Sequence, residues 1–119
     1  MANVRINGTA GNDTINEHRF ESETIYTYGG NDVVHLWVND DYAGGQYVDT
    51  GAGNDTIYQS FNGWGDFYLG AGNDTFVSEG DAWTHGNYVD GGAGNDTMAF
   101  DTQRSTFFGN AGNDTFIST

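Results

Sequence analysis

The chain has 119 residues, a formal net charge of −14, three arginines, no lysine and no cysteine. That length allows one small domain; the acidity argues against nucleic acid or anionic lipid as a partner, and the missing cysteines exclude disulfides and thiolate zinc. Leu, Ile, Val and Phe together number only 22, and with this charge such a composition reads as disordered unless something other than an apolar core stabilises the fold.

Six short phrases ending in Gly-Asn-Asp divide the chain into coils. In the first, Ile6 precedes a loop over 8–13 and Ile15 follows it; in the second the flanking residues are Ile25 and Val34 around 27–32. The third has Val48 and Ile57 around 50–55, the fourth Phe67 and Phe76 around 69–74. The fifth has Val89 and Met98 around 91–96, and the sixth Phe107 and Phe116 around 109–114. From one Asp to the next the spacing runs 19, 23, 19, 22 and 18 residues, the range of a solenoid coil. The two flanking apolar residues are nine apart in every coil, so the turn has one fixed geometry, with a short strand and one inward apolar residue on either side.

The return path behaves differently. It varies between 9 and 14 residues and belongs on the surface. At the positions equivalent to the Asp it carries Val4, Glu23, Gln46, Gly65, Asn87 and Ser105, five of which cannot supply a carboxylate, so metal is expected on one edge only. With 19 glycines and no 3.6-residue apolar period, helix is not expected. The expected fold is all-β: a parallel β-solenoid of about six coils, two strands each, stacked at about 4.8 Å and covering 1–119 as a single domain.

The fifth loop, Gly91-Gly92-Ala93-Gly94-Asn95-Asp96-Thr97-Met98-Ala99, matches GGxGxDxUx and resembles the hemolysin-type calcium-binding repeat of RTX proteins. The resemblance implies a calcium-bound β-roll in which an ion sits between loops of neighbouring coils, held by Asp side chains and backbone carbonyls. Carried over, the metal-site residues are Asp13, Asp32, Asp55, Asp74, Asp96 and Asp114, with Gly11, Gly30, Gly53, Gly72, Gly94 and Gly112 at the fourth loop position and Gly51, Gly70 and Gly92 at the second. Five gaps between six loops imply five calcium ions, which would move the net charge from −14 to about −4.

Glycine at the fourth position answers a need for backbone angles that a Cβ would forbid, and Asn at the fifth is expected to share it, being tolerant of left-handed geometry. Thr9, Tyr28 and Asn110 depart from glycine at the second position, and only Gly8, Gly91 and Gly109 satisfy the first. Tyr28 marks the second coil as the place where distortion is expected.

The resemblance also implies a secreted or bacterial cell-surface protein exported by a type I route. Residues 1–20 hold no continuous apolar run, so neither a Sec-type signal nor a membrane-inserting segment is read there. The chain ends Phe116-Ile117-Ser118-Thr119, in the last expected strand, so the solenoid is expected to continue in a longer protein or to self-associate at its ends.

Outward residues Tyr26, Tyr47, Asp49, Asp66, Tyr68, Tyr88, Asp90 and Phe108 suggest either a glycan-binding face or, in the blander reading, cross-strand stacking. Phe20, Trp37, Tyr42, Phe61, Trp64 and Trp83 fall on the variable edge, as a recognition surface or as filling for longer turns. His18, His35 and His85 share no spacing with the Asp row, and nothing composes a catalytic site, so no enzyme is expected. Ice-binding adhesin domains also resemble this architecture, but their loop Thr is replaced here by Ala10, Gly29, Ala52, Ala71, Ala93 and Ala111. The reading is a calcium-dependent structural module; the alternatives are a glycan-binding or adhesive module and an ancillary domain of a secreted protease or polysaccharide-modifying enzyme.

Overall fold

The computed structural model describes residues 3–17, 22–36, 45–60, 65–79, 87–100 and 105–118. Among the described residues twelve strands follow one another: β1 Asn3–Asn7, β2 Thr14–Glu17, β3 Ser22–Tyr26, β4 Val33–Leu36, β5 Gln46–Asp49, β6 Thr56–Ser60, β7 Gly65–Tyr68, β8 Thr75–Glu79, β9 Tyr88–Asp90, β10 Thr97–Phe100, β11 Thr106–Phe108 and β12 Thr115–Ser118. Odd-numbered strands form one six-stranded sheet and even-numbered strands another. Every pairing is parallel and joins one coil to the next. This is a β-solenoid in which each coil places one strand in each sheet.

The register confirms both apolar ladders. Ile6, Ile25, Val48, Phe67, Val89 and Phe107 stack in the first sheet, and Ile15, Val34, Ile57, Phe76, Met98 and Phe116 in the second. Side chains alternate sides along a strand, and burial follows: in β5, Gln46 and Val48 are buried while Tyr47 and Asp49 are half-buried. The ladders meet face to face, with Phe67 and Phe76 4.9 Å apart between ring centroids. Leu36 and Leu69 complete the buried cluster. Phe116 is 48 % exposed although its position faces inward; among the described strands β12 pairs with β10 alone.

Toward the return edge the interior turns polar. Glu17, Glu23, Gln46, Gln59, Ser78 and Asn87 are all buried. Gln59 and Asn87 exchange amide hydrogen bonds across the two sheets, Gln59 Nε2 donating at 3.1 Å and Asn87 Nδ2 donating back at 2.6 Å. Ser78 Oγ donates to Gln59 Oε1 at 3.0 Å, and the backbone N–H of Gly65 donates to Asn87 Oδ1 at 3.1 Å. Of the return-path aromatics and histidines, Phe20, Trp37, Tyr42, Phe61, Trp64, Trp83, His18 and His85 lie outside the described residues. His35 points outward on β4, its ring 4.8 Å from that of Tyr58.

Candidate metal-binding edge

Opposite the polar edge the six loops stack in register. Third-position residues pair as single bridges, Gly29 to Ala52, Ala52 to Ala71, Ala71 to Ala93 and Ala93 to Ala111. The fourth-position glycine lies directly over the carbonyl of its counterpart in the preceding coil. Gly72 shows both reasons for glycine there: its φ is 134°, in the range L residues avoid, and a Cβ would strike the carbonyl oxygen of Gly53. Gly11 has neither constraint, since the nearest atom to its Cβ would be Thr9 Oγ1 at 3.7 Å. The expectation that every fourth-position glycine needs special backbone angles is therefore corrected for the first coil, which stacks on no earlier loop here.

The reading of the fifth position is also corrected. Among the described residues, only Tyr28 (φ 70°) and Asn110 (φ 65°) are left-handed without being glycine, and both occupy the second position. The fifth-position Asn row is instead a side-chain ladder. Asn12 Oδ1 accepts from the N–H of Asn31 at 2.7 Å, Asn31 from Asn54 at 2.8 Å, Asn54 from Asn73 at 2.8 Å, Asn73 from Asn95 at 2.9 Å and Asn95 from Asn113 at 2.8 Å. Asn serves here through its side-chain carbonyl, a role a backbone-angle argument does not reveal.

Tyr28 does not break the stack. Its carbonyl accepts from Ala52 N–H at 2.8 Å, matching 2.9 Å for Gly51 and Gly70. The stretch falls at the sixth coil, where Gly92 O to Ala111 N and Ala111 O to Gly94 N both lengthen to 3.2 Å. There Asn110 brings a Cβ and a side chain that donates to Asp90 Oδ1.

The Asp ladder runs in the opposite sense to the Asn ladder. Each backbone N–H donates to the Oδ1 of the next coil's Asp: Asp13 to Asp32 at 2.7 Å, Asp32 to Asp55 and Asp55 to Asp74 at 2.8 Å, Asp74 to Asp96 and Asp96 to Asp114 at 2.9 Å. The first carboxylate bonds within its own loop, accepting from Thr9 N–H at 2.7 Å and Thr9 Oγ1 at 2.9 Å.

The second carboxylate oxygens decide what this edge can do. Oδ2 of Asp32, Asp55, Asp74 and Asp96 is buried and has no hydrogen-bond partner. Burial pushes the Asp55 carboxyl up to about 6 and that of Asp74 to about 7, and raises Asp96, in each case against the opposing effect of a donated backbone N–H. A row of buried anions, each with one oxygen unsatisfied, is stable only with protons or cations among them.

At the first position of the first and fifth coils, glycine lets the chain pass close against the carboxylate: a Cβ on Gly8 or Gly91 would sit 2.5 Å from Oδ2 of Asp13 or Asp96. Among the described residues no three acidic or His side chains form a cluster, because each coil supplies one carboxylate. The residues fit a hard, oxygen-preferring cation that accepts backbone carbonyls, as calcium does.

A family model described as "RTX calcium-binding nonapeptide repeat (4 copies)" matches residues 3–16, 24–43, 42–58, 86–106 and 101–118, more than half of the chain. The chain belongs to this family. It is an RTX calcium-binding repeat module, and its solenoid is a β-roll. No curated protein and no solved structure gave a significant match.

Sequence reasoning missed one set of contributors to these RTX loops. Thr27 and Thr50, at the first position, bond to the next coil's first-position carbonyl, Thr27 Oγ1 to Thr50 O at 3.1 Å and Thr50 Oγ1 to Leu69 O at 2.9 Å. Their signal was the departure from glycine, visible in the sequence but unreadable without knowing which carbonyl lies below.

Proposed function

We propose that this RTX module folds outside the cell by binding calcium between successive loops, one ion per gap and five in all. Asp32, Asp55, Asp74, Asp96 and Asp114 each offer a carboxylate toward the preceding loop, and Asp13 closes the first. Gly11, Gly30, Gly53, Gly72, Gly94 and Gly112, with Gly51, Gly70 and Gly92, shape the turns that bring carbonyls to the ions. The observation carrying this reading is the run of four buried Oδ2 atoms without partners. Calcium supplies the positive charge that those oxygens lack, and folding and binding become one equilibrium. The repeat family agrees with a secreted module.

The test is circular dichroism of the chelator-treated chain followed by calcium addition. A coil-like spectrum turning β-rich with calcium, and less so with magnesium, whose octahedral demand suits such loops poorly, supports the reading. A β-rich chain melting cooperatively in chelator at pH 8 sinks it.

A further inference from the structure

The outer face of the odd-numbered sheet is a checkerboard of rings and acids. Strand register places Arg5, Thr24, Tyr47, Asp66, Tyr88 and Thr106 in one outward row, and Asn7, Tyr26, Asp49, Tyr68, Asp90 and Phe108 in the row beside it. On coils three to five each row alternates Tyr with Asp, out of step with the other. The rings touch along the diagonal: centroids are 5.8 Å apart from Tyr26 to Tyr47, 5.4 Å from Tyr47 to Tyr68, 5.9 Å from Tyr68 to Tyr88 and 5.5 Å from Tyr88 to Phe108.

Stacking alone accounts for the rings, but not for acids in the squares between them. On coils three to five the outward pairs are Tyr with Asp, and in a module of formal net charge −14 three carboxylates set close together on one face repel one another. Asp49 and Asp90 each use Oδ1 to hold the loop, accepting from Gly51 N–H at 3.1 Å and Gly92 N–H at 3.0 Å. Asp66 is exposed. Ring faces and carboxylates attract the same kind of group, a cation. The face already holds one: the Arg5 guanidinium lies 4.8 Å from the ring centroid of Tyr26, at the end of the ladder. A neutral sugar has use for the rings and little for the net charge, and the rings lean at 42° to 51° to one another instead of lying flat for it.

We infer that this face docks an extended, arginine-rich segment of a partner protein, laid along the solenoid axis with guanidinium groups over successive tyrosines and beside Asp49, Asp66 and Asp90. The pitch agrees. Rings of one row recur every second coil, about 9.6 Å, and in a chain extended as polyproline II every third side chain returns to the same side after about 9.3 Å. Arginine fits better than lysine because its planar group stacks on a ring while bonding a carboxylate.

Calorimetric titration of the calcium-loaded module with hexa-arginine, hexa-lysine and a neutral chitin oligosaccharide, in about 0.15 M salt to screen long-range attraction, tests the inference. Circular dichroism first verifies that each sample is folded, so a failed titration strikes this docking surface and not the calcium reading. Hexa-arginine should bind at least about tenfold more tightly than hexa-lysine, and the charge-neutral double variant Tyr47→Leu/Tyr88→Leu should lose about tenfold in affinity. On the unaltered protein, ring signals of Tyr26, Tyr47, Tyr68 and Tyr88 should shift together in NMR, a readout that stands even if the double variant misfolds. Equal binding of the two peptides, unmoved ring signals, or a folded double variant that binds as before would reduce the effect to net charge and overturn the inference. Oligosaccharide binding in place of peptide binding would overturn it equally, in favour of a glycan platform.

Discussion

The backbone N–H of Asp55 donates to Oδ1 of Asp74, one coil further along, at 2.8 Å. That bond fixes the carboxylate of each coil against the loop before it and leaves Oδ2 of Asp74 buried without a partner. Because the ladder has a direction, its ends are not equivalent. Asp114 still receives a bond from Asp96, whereas Asp13 is satisfied within its own loop.

Replacement of ligand Asp residues should therefore rank by position. Asp74→Ala removes a carboxylate between two gaps and uncouples the halves of the stack, so calcium stoichiometry should fall by about two and the calcium midpoint for folding should rise. Asp114→Ala should cost about one ion, and Asp13→Ala the least of the three. Calorimetric titration of the variants measures this; equal losses at Asp74 and Asp13 would mean that ions do not sit between successive coils.

Acid should substitute in part for the metal. The folded carboxyls of Asp55 and Asp74 lie at about 6 and about 7, above their ordinary 3.8, so between 3.8 and those values the native chain binds more protons than the unfolded one. Stability in chelator then falls as pH rises through that window and is highest below it, the opposite of a salt-bridged carboxylate. Circular dichroism in chelator should show β structure gained on acidification from pH 8 to pH 5. No gain would mean that the buried Asp row does not limit the metal-free fold.

Two glycines of the same motif position should respond differently to alanine. Gly72→Ala forces a side chain into φ 134° and against the Gly53 carbonyl, a cost of about 3 kcal/mol or more. Gly11→Ala meets open space and should change stability by less than about 1 kcal/mol. Thermal melts at saturating calcium distinguish them, and similar destabilisation by both would refute the close-stacking explanation.

The polar edge should be costly to simplify on one side only. Gln59→Leu removes the partner of Asn87 and of Ser78 and leaves their buried groups unsatisfied, for about 1–3 kcal/mol per orphaned group. A melt unchanged from that of the unaltered protein would show that water replaces the amide there.

The coil repeat, both apolar ladders and the row of Asp along the fixed turns were legible in the sequence, because each is a local periodicity: a nine-residue interval across a fixed turn, an Asp at a constant offset, side chains alternating along a strand. What the loops do to one another was not. The Asn ladder, the opposed direction of the Asp ladder, the freedom of Gly11 and the left-handed Tyr28 depend on which atom lies one coil, about 4.8 Å, away. The return path varies in length, so the reciprocal bonds of Gln59 and Asn87 had no periodic trace and emerged only when two sheets brought residues 28 apart in sequence together. The tyrosine and acid checkerboard had the same origin. Its residues were visible one by one, but their alternation between two rows was decided by the register of six parallel strands.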